Sequence, residues 1–182
     1  MTTSAKILIA GFGGQGVLLI GQMIAYAGMI EEKEVSWLPS YGPEMRGGTA
    51  NCSIIVSNET INSPMFTVPD ILVAMNLPSL KKFEHSVITG GKVFVNSSLI
   101  RDGLDRKDIQ EIRIDSNHLA EEFGGSKFAN MIMLGAIIQR TGIVTIDGLF
   151  EAMESMFLGK KERFIPININ AIKKGFQISR AQ

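Results

Sequence analysis

The stretch Lys6–Gly21, KILIAGFGGQGVLLIG, decides how the rest of the chain is read. An apolar run, Ile7-Leu8-Ile9-Ala10, meets four glycines, Gly11, Gly13, Gly14 and Gly16, and a second apolar run follows at once. That pattern predicts a buried strand turning tightly into a helix whose first turn is bare backbone. Such a turn presents N–H groups at the positive end of a helix dipole, which suits an anion. The spacing Gly11-x-Gly13-x-x-Gly16 also fits the dinucleotide-binding template. A tight turn with no ligand would leave the same spacing, so the rest of the chain has to decide.

Outward from this stretch, apolar runs and breakers alternate. Strands are predicted over residues 5–10, 34–38, 49–57, 71–75, 92–96 and 110–114. Helices are predicted over about 14–30, 78–84, 117–123, 128–140, 145–158 and 167–178. Pro39 is expected to stop the second strand, and Asn58-Glu59 to turn a hairpin into a short run near Met65-Phe66. Asp115 or Ser116, and Thr145 or Asp147, are the expected helix caps. The helix carrying Ile132, Met133, Leu134, Ala136, Ile137 and Ile138 is apolar nearly all round, so it is expected to be buried. Strands alternating with helices predict a three-layer α/β fold with a largely parallel, Rossmann-like sheet and an added β-hairpin. No repeat or low-complexity linker interrupts residues 1–182, which read as one domain. Ligands of such sheets sit beyond the strands' C-terminal ends. This rule gathers the Gly11–Gly16 turn, the Ser40–Gly48 loop and Asn76 on one edge.

Composition narrows the function classes. Lysine plus arginine (18) balances aspartate plus glutamate (18), so no electrostatic case exists for nucleic acid. No run approaches the roughly 18 apolar residues of a membrane span, and no signal peptide is visible. One cysteine, Cys52, rules out an internal disulfide and a cluster or zinc site ligated by cysteines of this chain alone. A lone thiol on an apolar strand reads as structural and fits a reducing, cytoplasmic setting. His85 and His118 lie in polar segments without a second ligand at metal spacing. No Ser/His/Asp elbow, HExxH or GKS/T loop is present. No catalytic residue is therefore assigned.

The segment Ser40–Gly48, SYGPEMRGG, is the second unusual feature. Arg46 can pair with Glu44, or it can hold a phosphate or carboxylate between the flexible Gly42, Gly47 and Gly48. Tyr41 offers an aromatic anchor at a contact surface. Asn130, opening the apolar helix, reads as a cap, a bond to a nearby loop or a site residue. A dinucleotide site also expects an acid at the end of strand two. That strand ends Ser36-Trp37-Leu38-Pro39, with Glu34 too early and Glu44 in the next loop. The NAD reading therefore fails its second requirement.

Gly11-Phe-Gly-Gly-Gln-Gly16, Ser40–Gly48, Asp70 before ILVAM, and Asn130-Met-Ile-Met-Leu-Gly-Ala136 occur in an order and spacing that resemble the gamma subunit of 2-oxoacid:ferredoxin oxidoreductases. The likeness covers nearly the whole chain. Closest are the separate gamma subunits of 2-oxoglutarate or branched-chain 2-oxoacid enzymes, with 2-oxoglutarate the expected substrate. The small subunit of indolepyruvate ferredoxin oxidoreductase shares the motifs and is the alternative, and a free-standing dinucleotide-binding dehydrogenase is a third reading. The resemblance implies a complex that decarboxylates a 2-oxoacid on thiamine diphosphate and Mg, passes electrons through iron–sulfur clusters to ferredoxin, and releases an acyl-CoA. It implies alpha, beta and delta subunits as partners that carry those cofactors, with none bound by this chain alone. It also places the gamma subunit near the coenzyme A step. The residues then expected to face CoA and the partners are Gly11, Gly13, Gly14, Gln15, Gly16, Ser40, Tyr41, Glu44, Arg46, Gly47, Gly48 and Asn130. An isolated copy, lacking partners, has an interface free to form a homodimer.

Overall fold

The computed structural model describes residues 4–40 and 49–180. Six strands, β1 (Ser4–Phe12), β2 (Glu34–Ser40), β3 (Thr49–Ser57), β4 (Ile71–Ala74), β5 (Lys92–Asn96) and β6 (Gln110–Ile114), form one sheet in the order β2-β3-β1-β4-β5-β6. Strands β1, β4, β5 and β6 pair in parallel. β3 runs antiparallel to both β1 and β2, so five of the six strands point the same way. The antiparallel pair therefore lies between β1 and the edge. The run near Met65-Phe66 adds no strand, because Pro64 and Pro69 interrupt it and Ser63 Oγ accepts from the Met65 amide within a local turn. β2 continues through Pro39, which faces Cys52 of β3 in register. Proline is tolerated there because β2 is an edge strand and has no outer partner for the missing N–H.

Side-chain alternation splits the core into two layers. Ile7, Ile9, Ile54, Val73, Phe94 and Ile114 point to one face. They pack there with helices α1 (Val17–Ile30), α4 (Ala129–Thr141), α5 (Ile146–Met156) and α6 (Ile165–Arg180), together with the short α3 (Ser116–Ala120). Leu8, Leu72, Ala74, Val93 and Val95 point to the other face, against Leu80 of α2 (Leu77–Phe83) and Ile100, Leu104 and Ile109. Each large apolar side chain so buried contributes roughly 1.5–3 kcal/mol. α4 is buried at every position from Ala129 to Ile138, as an all-round apolar helix requires. It can lie so deep because α6 approaches it backbone to backbone at Gly135 and Gly175. A Cβ on Gly135 would stand 2.0 Å from the Ile172 carbonyl oxygen, and one on Gly175 1.9 Å from that of Ile132.

Helix boundaries differ from the sequence expectation where backbone geometry intervenes. α1 begins at Val17 because Gly14 (φ +94) and Gly16 (φ +72) are left-handed and cannot continue a right-handed helix. Thr145 caps α5, its hydroxyl accepting from Gly148 N at 3.0 Å. Asp115 precedes α3, but its carboxylate instead accepts from Ser98 Oγ. Ser98 Oγ in turn accepts from Asn117 N at 2.9 Å. No helix among the described residues is long and apolar enough to cross a membrane.

Cys52 is fully buried on β3, and its thiol donates to the Val17 carbonyl at 3.6 Å. Burial pushes the thiol up to about 12, so the reactive thiolate is essentially absent near neutrality. A thiol-reactive dye at pH 8 is expected to leave the native protein unlabelled and to label its single cysteine only after denaturant is added. Rapid labelling of the native protein would contradict this placement.

Candidate functional site

The C-terminal ends of β1, β4 and β5 build the site from the chain outward. β1 ends at Phe12, and the backbone of Gly13 and Gly14 forms the exposed tip of the turn. Gln15 N closes the turn by donating to the Phe12 carbonyl at 3.1 Å. Gly16 then caps α1 without a side-chain hydrogen bond, and no acidic residue stands in the first helical turn. The first N–H groups of α1 are therefore left without the usual side-chain acceptor, at the positive end of a 14-residue helix. Gly11 is needed for packing: a Cβ there would meet Gln15 Oε1 at 2.7 Å and Met75 Cβ at 2.9 Å.

Gln15 does not hang free in the turn. Its Oε1 accepts from Phe12 N at 2.6 Å and from Asn76 Nδ2 at 2.9 Å, while its Nε2 donates to the Met75 carbonyl at 3.1 Å. Asn76, 3 % exposed, also caps α2 by accepting from Ser79 N at 2.9 Å. Asn96, at the end of β5, donates to the Met75 carbonyl at 3.4 Å and to Asn117 Oδ1 at 2.8 Å. A chain of side-chain amides thus runs across three strand ends. Asn96 and Asn117 carry no role in the sequence reading, which places Asn76 on this edge but gives it no partner there. The available signal was an asparagine closing two apolar strands, VAMN at Val73–Asn76 and VFVN at Val93–Asn96.

Asn130, 6 % exposed, lies against the turn. A Cβ on Gly16 would stand 2.3 Å from its Nδ2, and its Oδ1 has no partner among the described residues. A cavity of about 220 Å³ opens beside it, lined by Gly14, Gln15, Met75, Asn117, Ser126, Lys127 and Ala129. Ser40 ends β2 on the same sheet edge, level with Asn51 of β3 and Ala10 of β1. Two strand spacings, about 10 Å, separate it from β1. It borders an open cavity of about 550 Å³ with Leu38, Asn51, Ser53 and Phe66. The structure thus brings Gly11, Gly13, Gly14, Gln15, Gly16 and Asn130 together and sets Ser40 two strands away from β1. Tyr41, Glu44, Arg46, Gly47 and Gly48 lie outside the described residues.

The topology also explains why a ribose acid is missing. In a dinucleotide site, strand two lies beside strand one and its terminal acid reaches the ribose. Here β3 is inserted between β1 and β2, so even an acid at the end of β2 would stand one strand too far away. Among the described residues no group of three or more His, Cys, Asp or Glu could hold a metal ion.

Fold and site together define a Rossmann-like α/β chain whose glycine turn leaves the first helical N–H groups without a side-chain acceptor and whose second strand is set apart from the first by β3. The chain belongs to the pyruvate ferredoxin/flavodoxin oxidoreductase family, whose profile matches residues 6–178. It is 36 % identical to the ketoisovalerate oxidoreductase subunit VorA of Methanothermobacter thermautotrophicus over 96 % of its own length. It spans only 36 % of that relative, about a third. The 2-oxoglutarate synthase subunit KorC of Methanothermobacter marburgensis is 34 % identical, with 95 % of each chain covered. Among solved structures, the gamma subunit of keto/oxoacid ferredoxin oxidoreductase from Geobacter sulfurreducens superposes with a TM-score of 0.84 at 28 % identity, covering 98 % of this chain and 99 % of that one.

Proposed function

We propose that this chain is the gamma subunit of a 2-oxoacid:ferredoxin oxidoreductase that converts 2-oxoglutarate to its acyl-CoA while reducing ferredoxin. The observation that carries the reading is the end-to-end match to a 2-oxoglutarate synthase subunit, 95 % of both chains, joined to a helix N-terminus with no side-chain cap and no ribose acid at the end of β2. Alpha, beta and delta subunits are the partners, and the complex works in the cytoplasm. Thiamine diphosphate with Mg supplies the decarboxylation chemistry and iron–sulfur clusters the electron path, both on the other subunits. The cysteine content here agrees with that division, since the single thiol is buried and donates to a carbonyl.

The contribution of this chain is binding and orientation. The uncapped N–H groups after Gly16 offer hydrogen bonds to a CoA phosphate without a competing carboxylate in the first turn. Asn130 and the exposed Gly13 and Gly14 backbone border the same place. Ser40, Tyr41, Glu44, Arg46, Gly47 and Gly48 extend this face toward the alpha and beta subunits, with Arg46 as a forked donor to phosphate or carboxylate.

The test uses the assembled complex. Arg46→Ala should raise the apparent KM for CoA roughly tenfold, the size of one charge-assisted hydrogen bond, or weaken subunit assembly on size exclusion. An unchanged KM together with unchanged assembly contradicts the assignment of this loop.

A further inference from the structure

The amide chain behind the glycine turn has a direction that its surroundings fix. A glutamine amide can in principle be turned end for end, which exchanges its donor and acceptor. Gln15 cannot be turned without loss, because it faces one backbone donor, Phe12 N, and one backbone acceptor, the Met75 carbonyl. Oε1 must therefore point to Phe12, and the group that shares Oε1 must be a donor. Asn76 Nδ2 is that donor. Asn76 is fixed in the same way, because its Oδ1 is committed to Ser79 N at the start of α2. Backbone groups thus set both amides, and the turn is referenced to the end of β4 and to α2, about 60 residues away in sequence.

We propose that Asn76 is a positioning residue for the glycine turn. Acting through Gln15, it holds the Gly11–Gly16 backbone in the geometry that its N–H groups need to meet an anion, without touching the ligand itself. For the ligand this rests on the CoA reading above; for the turn it stands alone. Asn96 supports the same arrangement by donating a second hydrogen bond to the Met75 carbonyl.

Asn76→Ser is the informative variant. Serine is as good a helix cap as asparagine, so α2 keeps its start, but its side chain is too short to reach Gln15. Gln15→Ala removes the same link from the other side, and Asn76→Asp keeps the cap while replacing the donor with an oxygen. Two readouts on the assembled complex separate positioning from general damage. Amide exchange of the segment 11–18 should accelerate roughly tenfold in Asn76→Ser and in Gln15→Ala, with the unfolding midpoint of Asn76→Ser close to wild type. The apparent KM for CoA should rise by a similar factor while kcat holds. The double variant should be no worse than Gln15→Ala, because both changes cut one path. If Asn76→Ser proves unstable, the exchange comparison is made between Asn76→Asp and wild type.

The outcomes are distinct. Exchange at 11–18 that stays at the wild-type rate, or effects of Asn76→Ser and Gln15→Ala that simply add, overturn the proposal. Faster exchange with non-additive effects supports it. If exchange accelerates while neither these variants nor Arg46→Ala shifts the KM for CoA, the positioning role stands and the CoA reading fails.

Discussion

Gly175→Ala is expected to lower the unfolding midpoint by about 4–8 °C. The added Cβ would lie 1.9 Å from the Ile132 carbonyl oxygen and 2.7 Å from its carbon. These are backbone atoms of a helix buried along most of its length, so no rotamer change relieves the clash. Overpacking of this kind costs about 3 kcal/mol. Alanine recovers about 1 kcal/mol of helix propensity over glycine. The collision wins by about 2 kcal/mol, and for a chain of this size each kcal/mol moves the midpoint about 2–4 °C. Gly135→Ala meets the Ile172 oxygen at 2.0 Å across the same crossing, so the pair should be non-additive. Gly103→Ala is the control: the nearest atom to its Cβ would be Glu111 Oε2 at 3.9 Å, an ordinary contact, and its midpoint should move by no more than about 1–2 °C. Equal shifts for Gly103→Ala and Gly175→Ala would show that α4 and α6 do not cross as closely as described.

Gly16→Ala should damage both stability and ligand handling. Its φ of +72 costs an L-residue about 1–2 kcal/mol. The Cβ would also stand 2.3 Å from Asn130 Nδ2 and 2.8 Å from its Cγ, so the amide must swing away from the turn. Gly14→Ala separates the two effects. Its φ is +94, but a Cβ there meets nothing within 4 Å, so it carries the backbone strain alone. In the assembled complex, Gly16→Ala is expected to raise the KM for CoA more than about tenfold above Gly14→Ala, because it moves Asn130 as well as the α1 N-cap. Equal kinetic effects of the two substitutions would remove Asn130 from the site.

The sequence was most legible where a signal is local. Apolar runs of strand length, the glycine turn after β1 and the all-apolar α4 could each be read without knowing their neighbours. What stayed hidden was pairing across the chain. TANCSIIVS reads the same whether it lies outside β2 or between β2 and β1, because either slot buries Cys52, Ile54 and Val56 on one face. Pro39 reads as a stop in the sequence because edge status is a property of the sheet and not of the residue. The site shows the same division. Gly16 and Asn130 are visible as residue types, but their contact spans more than 100 positions. Gln15 reads as a candidate ligand group, whereas three of its hydrogen-bonding positions are taken by Phe12, Asn76 and Met75. The Asn76–Gln15 link joins two loops 61 residues apart, and no spacing rule reaches that far.

As proposed above, this chain completes a CoA-dependent 2-oxoacid oxidoreductase. The most direct measurement is ferredoxin reduction by the purified complex, supplied with 2-oxoglutarate, with and without CoA and with and without this subunit. Reduction coupled to acyl-CoA formation is expected to require CoA and to be lost or severely weakened when the subunit is left out. Ferredoxin reduction and acyl-CoA formation that proceed equally well without the chain would contradict it.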